Sequence, residues 1–335
     1  MTKPRILLVA TGGTIASAED GNGLTPQLTG EQLAGYVPQA AELADIDIVQ
    51  PMNIDSTNMR PADWQAIGDA ILAQYEDYDG FVVLHGTDTM AYTAAALSYL
   101  IQDSPRPIVL TGSQQPMGSP FTDARINLYQ SVLYATDPDS HDVAVVFGGK
   151  VVAGTRARKQ RTMSFNAFTS VNYPELALIR NDRIIRTAPA GSGDARAASE
   201  PRVYHDLDER VFVLKLTPEV NPSVFELLRR DYDAIILETF GVGGIPDTLH
   251  DAIFGWVDSG RTLVVTTQVP EEGLDLGVYE VGRAYAEHPG ILKGADMTCE
   301  ALVAKTMWVL GQTRESERLR ELFYRPVNCD RLPEA

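Results

Sequence analysis

The stretch RILLVATGGTIAS, residues 5–17, joins a short apolar run, Arg5–Ala10, to a double-glycine turn and a hydroxyl-rich loop. An unbroken apolar strand, unlike an alternating one, belongs to a parallel sheet covered by helices on both faces. The same pattern recurs along the chain. Gly80–Leu84 runs into HGTDT, Pro107–Leu110 into TGSQQP and Val143–Phe147 into Gly148 and Gly149, and a further strand around Val151–Val152 leads to GTRARK. Helical periodicity fills the gaps: Trp64, Ile67, Ile71, Leu72 and Tyr75 recur at three- and four-residue spacing after Pro61, and Thr89–Ile101 is rich in alanine and leucine.

Farther along, Arg186–Arg202 is polar and rich in Ala, Gly, Ser and Pro, without apolar periodicity, as an exposed connection is. The strand-then-helix rhythm resumes at Val211–Leu216, Tyr232–Leu237 and Thr262–Thr267, and a last helix is expected over Met297–Leu310. No internal repeat is present. The expected architecture is α/β, with a larger N-terminal domain (1–190) built on a mostly parallel sheet flanked by helices, a linker (191–208) and a smaller C-terminal α/β domain (209–335). A length of 335 residues accommodates two such cores.

Composition narrows the function classes. Hydrophobic residues at 44% and charged residues at 22% are ordinary for a globular protein, which argues against disorder or a fibrous architecture. A net charge of −17 repels a phosphate backbone, so no nucleic-acid partner is expected. The densest basic stretch, Arg156, Arg158, Lys159 and Arg161, is short. Two cysteines, Cys299 and Cys329, make no disulfide framework. Residues 1–5 lead directly into Ile6–Val9 without the longer apolar region of a secretory signal, and no apolar run approaches the roughly 20 residues that cross a bilayer. A cytoplasmic location and no membrane partner are the expectation.

Ligands of open parallel sheets bind beyond the carboxyl ends of the strands, where every hydroxyl-rich loop above falls. In TGGTIAS, glycines 12 and 13 bring backbone N–H groups close to a ligand, and Thr14 is either a nucleophile beside an oxyanion nest or part of an anion-binding turn. The turn lacks both GxGxxG spacing and the GxxxxGK[ST] lysine. Thr87, Asp88 and Thr89 either cap a helix or set a hydroxyl and a carboxylate beside His85 and Gly86. Lys159, one of six lysines against 22 arginines, is either solvated or placed beside a carboxylate to exchange a proton with a threonine. Asp55, Ser56 and Thr57 either make a capping turn or bind the charged ends of an amino acid. No His/Cys cluster, HExxH helix or Ser/Cys–His arrangement accompanies them, so no metal and no cofactor are expected.

TGGTIAS (11–17), HGTDTMAYTA (85–94), TGSQQP (111–116) and GTRARK (154–159) together resemble the bacterial-type L-asparaginase family. DST (55–57), GVGG (241–244) and KGADMTCEA (293–301) match as well, so the likeness runs in order over nearly the whole chain. The absence of a signal sequence resembles the cytoplasmic, type I branch. The resemblance implies an enzyme that converts L-asparagine to L-aspartate and ammonia through a covalent acyl-enzyme. Thr14 matches the family's attacking threonine; Thr87, Asp88 and Lys159 match its second catalytic group. Asp55, Ser56, Thr57, Thr87 and Asp88 match contacts to the substrate's amino and carboxylate groups, and Ser113 lies in the family's third site loop. A homodimer or homotetramer is implied too. The chain departs from many relatives at Leu24, where they carry a tyrosine in the loop after TGGTI, so Thr25, another tyrosine or the Thr87–Lys159 pair would take over its task.

Three alternatives share the scaffold. A glutaminase–asparaginase would accept one more methylene, a discrimination worth only about 1–3 kcal/mol. A tRNA-dependent amidotransferase subunit carries an extra N-terminal domain, whereas TGGTI here begins ten residues from the start. A non-catalytic amino-acid-binding protein would not need Thr14, Thr87, Asp88 and Lys159 intact.

Overall fold

Apolar strands buried on both faces form the centre of the N-terminal sheet, while its edge strand Asp45–Val49 (DIDIV) alternates acidic and apolar residues and stays partly exposed. In the computed structural model, β1 (Arg5–Ala10), β2 (Asp45–Val49), β3 (Gly80–Leu84), β4 (Ile108–Thr111) and β5 (Val143–Phe147) run parallel in the order 2-1-3-4-5. The structure describes residues 3–13, 15, 17–19, 24–26, 35, 37–187, 200–277, 284–285 and 287–332. Every residue of β3, β4 and β5 is buried, as a helix-covered parallel sheet demands. Among the covering helices are α1 (Pro61–Leu72), α2 (Met90–Leu100) and α3 (Ala124–Ala135). Leu128 and Val132 of α3 join Ile6, Leu8, Val82, Val109 and Val146 in one core.

The run 143–153 departs from the strand-then-helix pattern. β6 (Lys150–Ala153) turns back antiparallel to β5, because Gly148 and Gly149 adopt φ of 58° and 77° and close a tight hairpin. A short strand β7 (Ala157–Lys159) then pairs with β8 (Phe168–Ser170), so that Lys159 stands opposite Phe168. The antiparallel strands β9 (Ala177–Arg180) and β10 (Arg183–Arg186) complete the eight-stranded sheet at one edge. Helix α1 ends at Leu72, short of the periodicity that reached Tyr75, and Tyr75 falls in a separate 3₁₀ turn.

The second unit carries a four-stranded parallel sheet, β11 (Val211–Lys215), β12 (Ala234–Thr239), β13 (Thr262–Thr267) and β14 (Ile291–Lys293), in sequential order. Its core includes Leu237, Ile253, Trp256 and Val265. Thr298 caps the helix Cys299–Gln312 by accepting the Ala301 N–H at 3.0 Å. Within this unit Lys305 and Asp330 form a fully buried ion pair, and Lys305 also donates to the Arg325 carbonyl at 2.8 Å. Burial pushes the Lys305 ammonium down to about 8 against the pull of Asp330.

The chain thus divides into Met1–His205 with Val327–Cys329, and Asp206–Pro326 with Asp330–Ala335. It is an α/β protein with a larger N-terminal and a smaller C-terminal unit, each built on a mostly parallel sheet. Residues 191–199 of the stretch read as a linker lie outside the described residues. Among the described residues no helix is long and apolar enough to cross a membrane.

Candidate active site

Strand order 2-1-3 reverses direction between β1 and β3, and at such a switch the loops on either side part and leave a crevice at the strands' carboxyl ends. TGGT follows β1 and HGTD follows β3, so both loops open at this point. Two threonines anchor the strand ends: Thr11 Oγ1 donates to the Leu84 carbonyl at 2.9 Å, and Thr111 Oγ1 to the Val146 carbonyl at 2.8 Å.

The loops meet with no room to spare. Gly13 has φ of +81°, and a Cβ there would lie 2.3 Å from the Gly86 backbone. Gly86 in turn faces Ser56, whose Oγ would be 2.4 Å from an added Cβ. Glycine is required on both sides by close approach, and at residue 13 by conformation as well. The β2 loop is drawn in by backbone pairing, since Gly13 N–H donates to the Ile54 carbonyl and Ile54 N–H to that of Thr11. Thr89 Oγ1 then donates to the Ser56 carbonyl at 2.8 Å.

His85 stiffens the HGTD turn from below. Its ring is fully buried, and Nδ1 donates to the Gly86 carbonyl at 2.7 Å, because a carbonyl only accepts. Nε2 is then the acceptor for the Thr93 hydroxyl at 2.9 Å. Burial pushes the imidazole down to about 4, so the ring is neutral at physiological pH.

On this base stand Thr87 and Asp88. Lys159 Nζ donates to Thr87 Oγ1 at 2.8 Å and to Asp88 Oδ1 at 2.6 Å. The Lys159 side chain is 17% exposed and Thr87 is buried, while Asp88 reaches solvent. A partly desolvated ammonium between a hydroxyl and a carboxylate can hold a proton for an acid–base step and stabilise negative charge beside it.

The sequence candidates therefore fall into three groups. Thr87, Asp88 and Lys159 come together although 71 and 72 residues separate the partners. Ser56 is buried against Gly86, whereas Asp55 and Thr57 are exposed, with Asp55 Oδ1 capping the turn by accepting Thr57 N–H and Oγ1–H at 2.9 Å each. Thr14 lies outside the described residues, as do residues 20–23. Leu24 belongs to a short strand, Leu24–Pro26, paired with Ser17–Glu19, whose side chains also lie outside them.

In the TGSQQP loop the Ser113 hydroxyl is turned inward, donating to the Gln115 carbonyl at 2.5 Å. Gln114 is the side chain that reaches the site: its Oε1 accepts the Thr87 hydroxyl at 3.2 Å. Sequence reasoning passed over it, although it occupies the second loop position after the β4 glycine, on the strand next to β3. Of the basic stretch, Arg156 is buried and its Nε donates to the Cys329 carbonyl at 2.5 Å, so that charge serves packing. Among the described residues no group of three His, Cys, Asp or Glu side chains could hold a metal ion.

Residues 5–190 match the family model described as asparaginase, N-terminal, and residues 210–323 match the glutaminase/asparaginase C-terminal domain. The chain is 38% identical to an L-asparaginase of Thermococcus kodakarensis, over 96% of this chain and 98% of that one. It is 36% identical to a glutamyl-tRNA(Gln) amidotransferase component of Aeropyrum pernix, over 96% of this chain and 78% of the relative. Its structure resembles the crystal structure of L-asparaginase I from Vibrio cholerae with a TM-score of 0.88 at 30% identity, covering 99% of this chain and 100% of the other.

Proposed function

The chain belongs to the asparaginase family, and from that premise we propose that it hydrolyses the side-chain amide of L-asparagine to L-aspartate and ammonia. The observation that carries the proposal is Lys159 bonded at once to Thr87 and Asp88, on a turn whose Gly86 abuts Gly13, the residue before Thr14.

The Thr14 oxygen attacks the amide carbon, and backbone N–H groups where the two glycine turns meet, other than that of Gly13, which serves the Ile54 carbonyl, hold the oxyanion. The threonine proton passes to the departing nitrogen, which leaves as ammonia, and an aspartyl ester remains on Thr14. Water then adds to the ester carbon, the ester bond breaks, and the Thr14 hydroxyl is restored. Thr87, Asp88 and Lys159 supply the proton traffic that a threonine hydroxyl needs at neutral pH. Ser56, with Asp55 and Thr57 on its turn, together with Asp88 and the loop of Ser113, receives the substrate's ammonium and carboxylate groups. The same proposal takes 1–190, 191–208 and 209–335 as N-terminal domain, linker and C-terminal domain, and a homodimer or homotetramer in the cytoplasm as the working form.

The match of residues 210–323 to the glutaminase/asparaginase C-terminal domain favours one second reading, in which glutamine is also a substrate. Ammonia release from L-asparagine and L-glutamine by the purified protein tests both. A higher kcat/KM for L-asparagine supports the first reading, equal values support the glutaminase–asparaginase, and no ammonia from either amide refutes both in favour of a binding protein.

A further inference from the structure

Beneath the Gly112–Pro116 loop lie two buried polar side chains, Asp123 and Asn127, that touch no reacting group. The Asp123 carboxylate accepts the Gln114 N–H on both oxygens at 3.0 Å, and Oδ1 also accepts the Gln115 N–H at 3.1 Å. Asn127 Nδ2 donates to Asp123 Oδ2 at 3.1 Å and to the Gly112 carbonyl at 3.0 Å, while Asn127 Oδ1 accepts the Gly148 N–H at 3.0 Å. Burying a carboxylate is costly, and an apolar replacement of a buried polar network is often neutral for stability. What this network confers is a single position for the loop backbone, and with it a single position for Gln114.

The orientation of the Gln114 amide follows from its partners. Its Nε2 donates to the Ser164 carbonyl at 3.3 Å, and a carbonyl only accepts, so Oε1 is the atom that faces Thr87. Thr87 has one proton to give. The Lys159 ammonium, a donor only, needs a Thr87 lone pair at 2.8 Å. The hydroxyl therefore gives its proton to Gln114 and turns a lone pair to Lys159.

We propose that Gln114 is a positioning residue for the Thr87 hydroxyl, held in place by the Asp123–Asn127 frame. This rests on the reading of Thr87, Asp88 and Lys159 as the proton-handling group of amide hydrolysis. Gln114 fixes which way the Thr87 O–H points, so the Lys159–Thr87 bond keeps one direction through the cycle. Without that acceptor the hydroxyl rotates and the ammonium is left to Asp88 alone. The effect falls on kcat, because Gln114 directs a proton and supplies none of the proposed contacts to the substrate's charged ends.

Steady-state ammonia release from L-asparagine, followed across neutral and alkaline pH with the full-length protein, tests this. Gln114→Leu should lower kcat about tenfold or more, a part of what acid–base groups contribute, with KM within about threefold. Gln114→Glu keeps an oxygen acceptor over Thr87 and should recover most of kcat. Asp123→Asn should reproduce the kcat loss, and combining it with Gln114→Leu should add little. If Asp123→Asn does not fold, the two Gln114 variants carry the test. A Gln114→Leu kcat within threefold of wild type, or a Gln114→Glu variant as slow as Gln114→Leu, overturns the proposal. Thr87→Val and Lys159→Met measured alongside separate the layers. If both are inactive while Gln114→Leu is not, only the positioning role falls. If both keep wild-type kcat, the reading of the site falls with it.

Discussion

Neutral His85 ties the stability of the N-terminal unit to pH. The ring is fully buried, and its pKa falls from 6.5 to about 4 on folding. Between those values the unfolded chain binds a proton that the folded protein refuses, so stability drops as pH falls through this window and is complete above 6.5. At about 1.4 kcal/mol per unit, that shift amounts to roughly 3 kcal/mol lost by pH 4. His85→Gln is the informative perturbation, since a glutamine amide can donate to the Gly86 carbonyl and accept from Thr93 without titrating. Urea unfolding of both proteins at several pH values isolates the effect, because the carboxylates titrate alike in each and cancel in the difference. The wild-type protein should lose roughly 3 kcal/mol more than His85→Gln between pH 6.5 and 4. Parallel pH profiles would refute the reasoning, and with it the neutral, bridging role given to this ring.

Three further outcomes follow from the geometry. Gly13→Ala places a Cβ 2.3 Å from the Gly86 backbone at φ +81°, so it should destabilise by more than about 2 kcal/mol and abolish ammonia release, read by thermal unfolding and assay. Asp330→Ala leaves the buried Lys305 ammonium uncompensated and should cost about 3–5 kcal/mol in urea unfolding, whereas Lys305→Met with Asp330→Leu should cost far less. Lys159→Met should lower kcat on L-asparagine at least about a hundredfold; a loss below tenfold would exclude Lys159 as an essential proton carrier.

The centre of the sheet was legible because strands buried on both faces have no choice but to be continuously apolar, and Ile6–Ala10, Gly80–Leu84 and Val143–Phe147 are so. The strand around Val151–Val152 was legible too, but its antiparallel return onto β5 was not drawn from the apolar pattern, which carries no direction; the positive φ of Gly148 and Gly149 closes the reversal. That reversal leads the chain to the β7–β8 pair and so places Lys159. Thr87, Asp88 and Lys159 were legible as residue types, but their meeting depends on pairing across some seventy positions, which no local pattern encodes. Gln114 and Asp123 escaped notice for another reason: a glutamine in a loop and an aspartate before a helix are ordinary until their partners are known. Arg156 shows the converse, a basic residue suited to solvent that packs inside instead.

The Thr14 hydroxyl is the centre of the proposed reaction, and kcat for ammonia release from L-asparagine by Thr14→Ala measures its part. A loss of about a thousandfold or more with the fold intact is the predicted result. A variant that keeps its rate within tenfold of wild type would contradict a threonine nucleophile at this position.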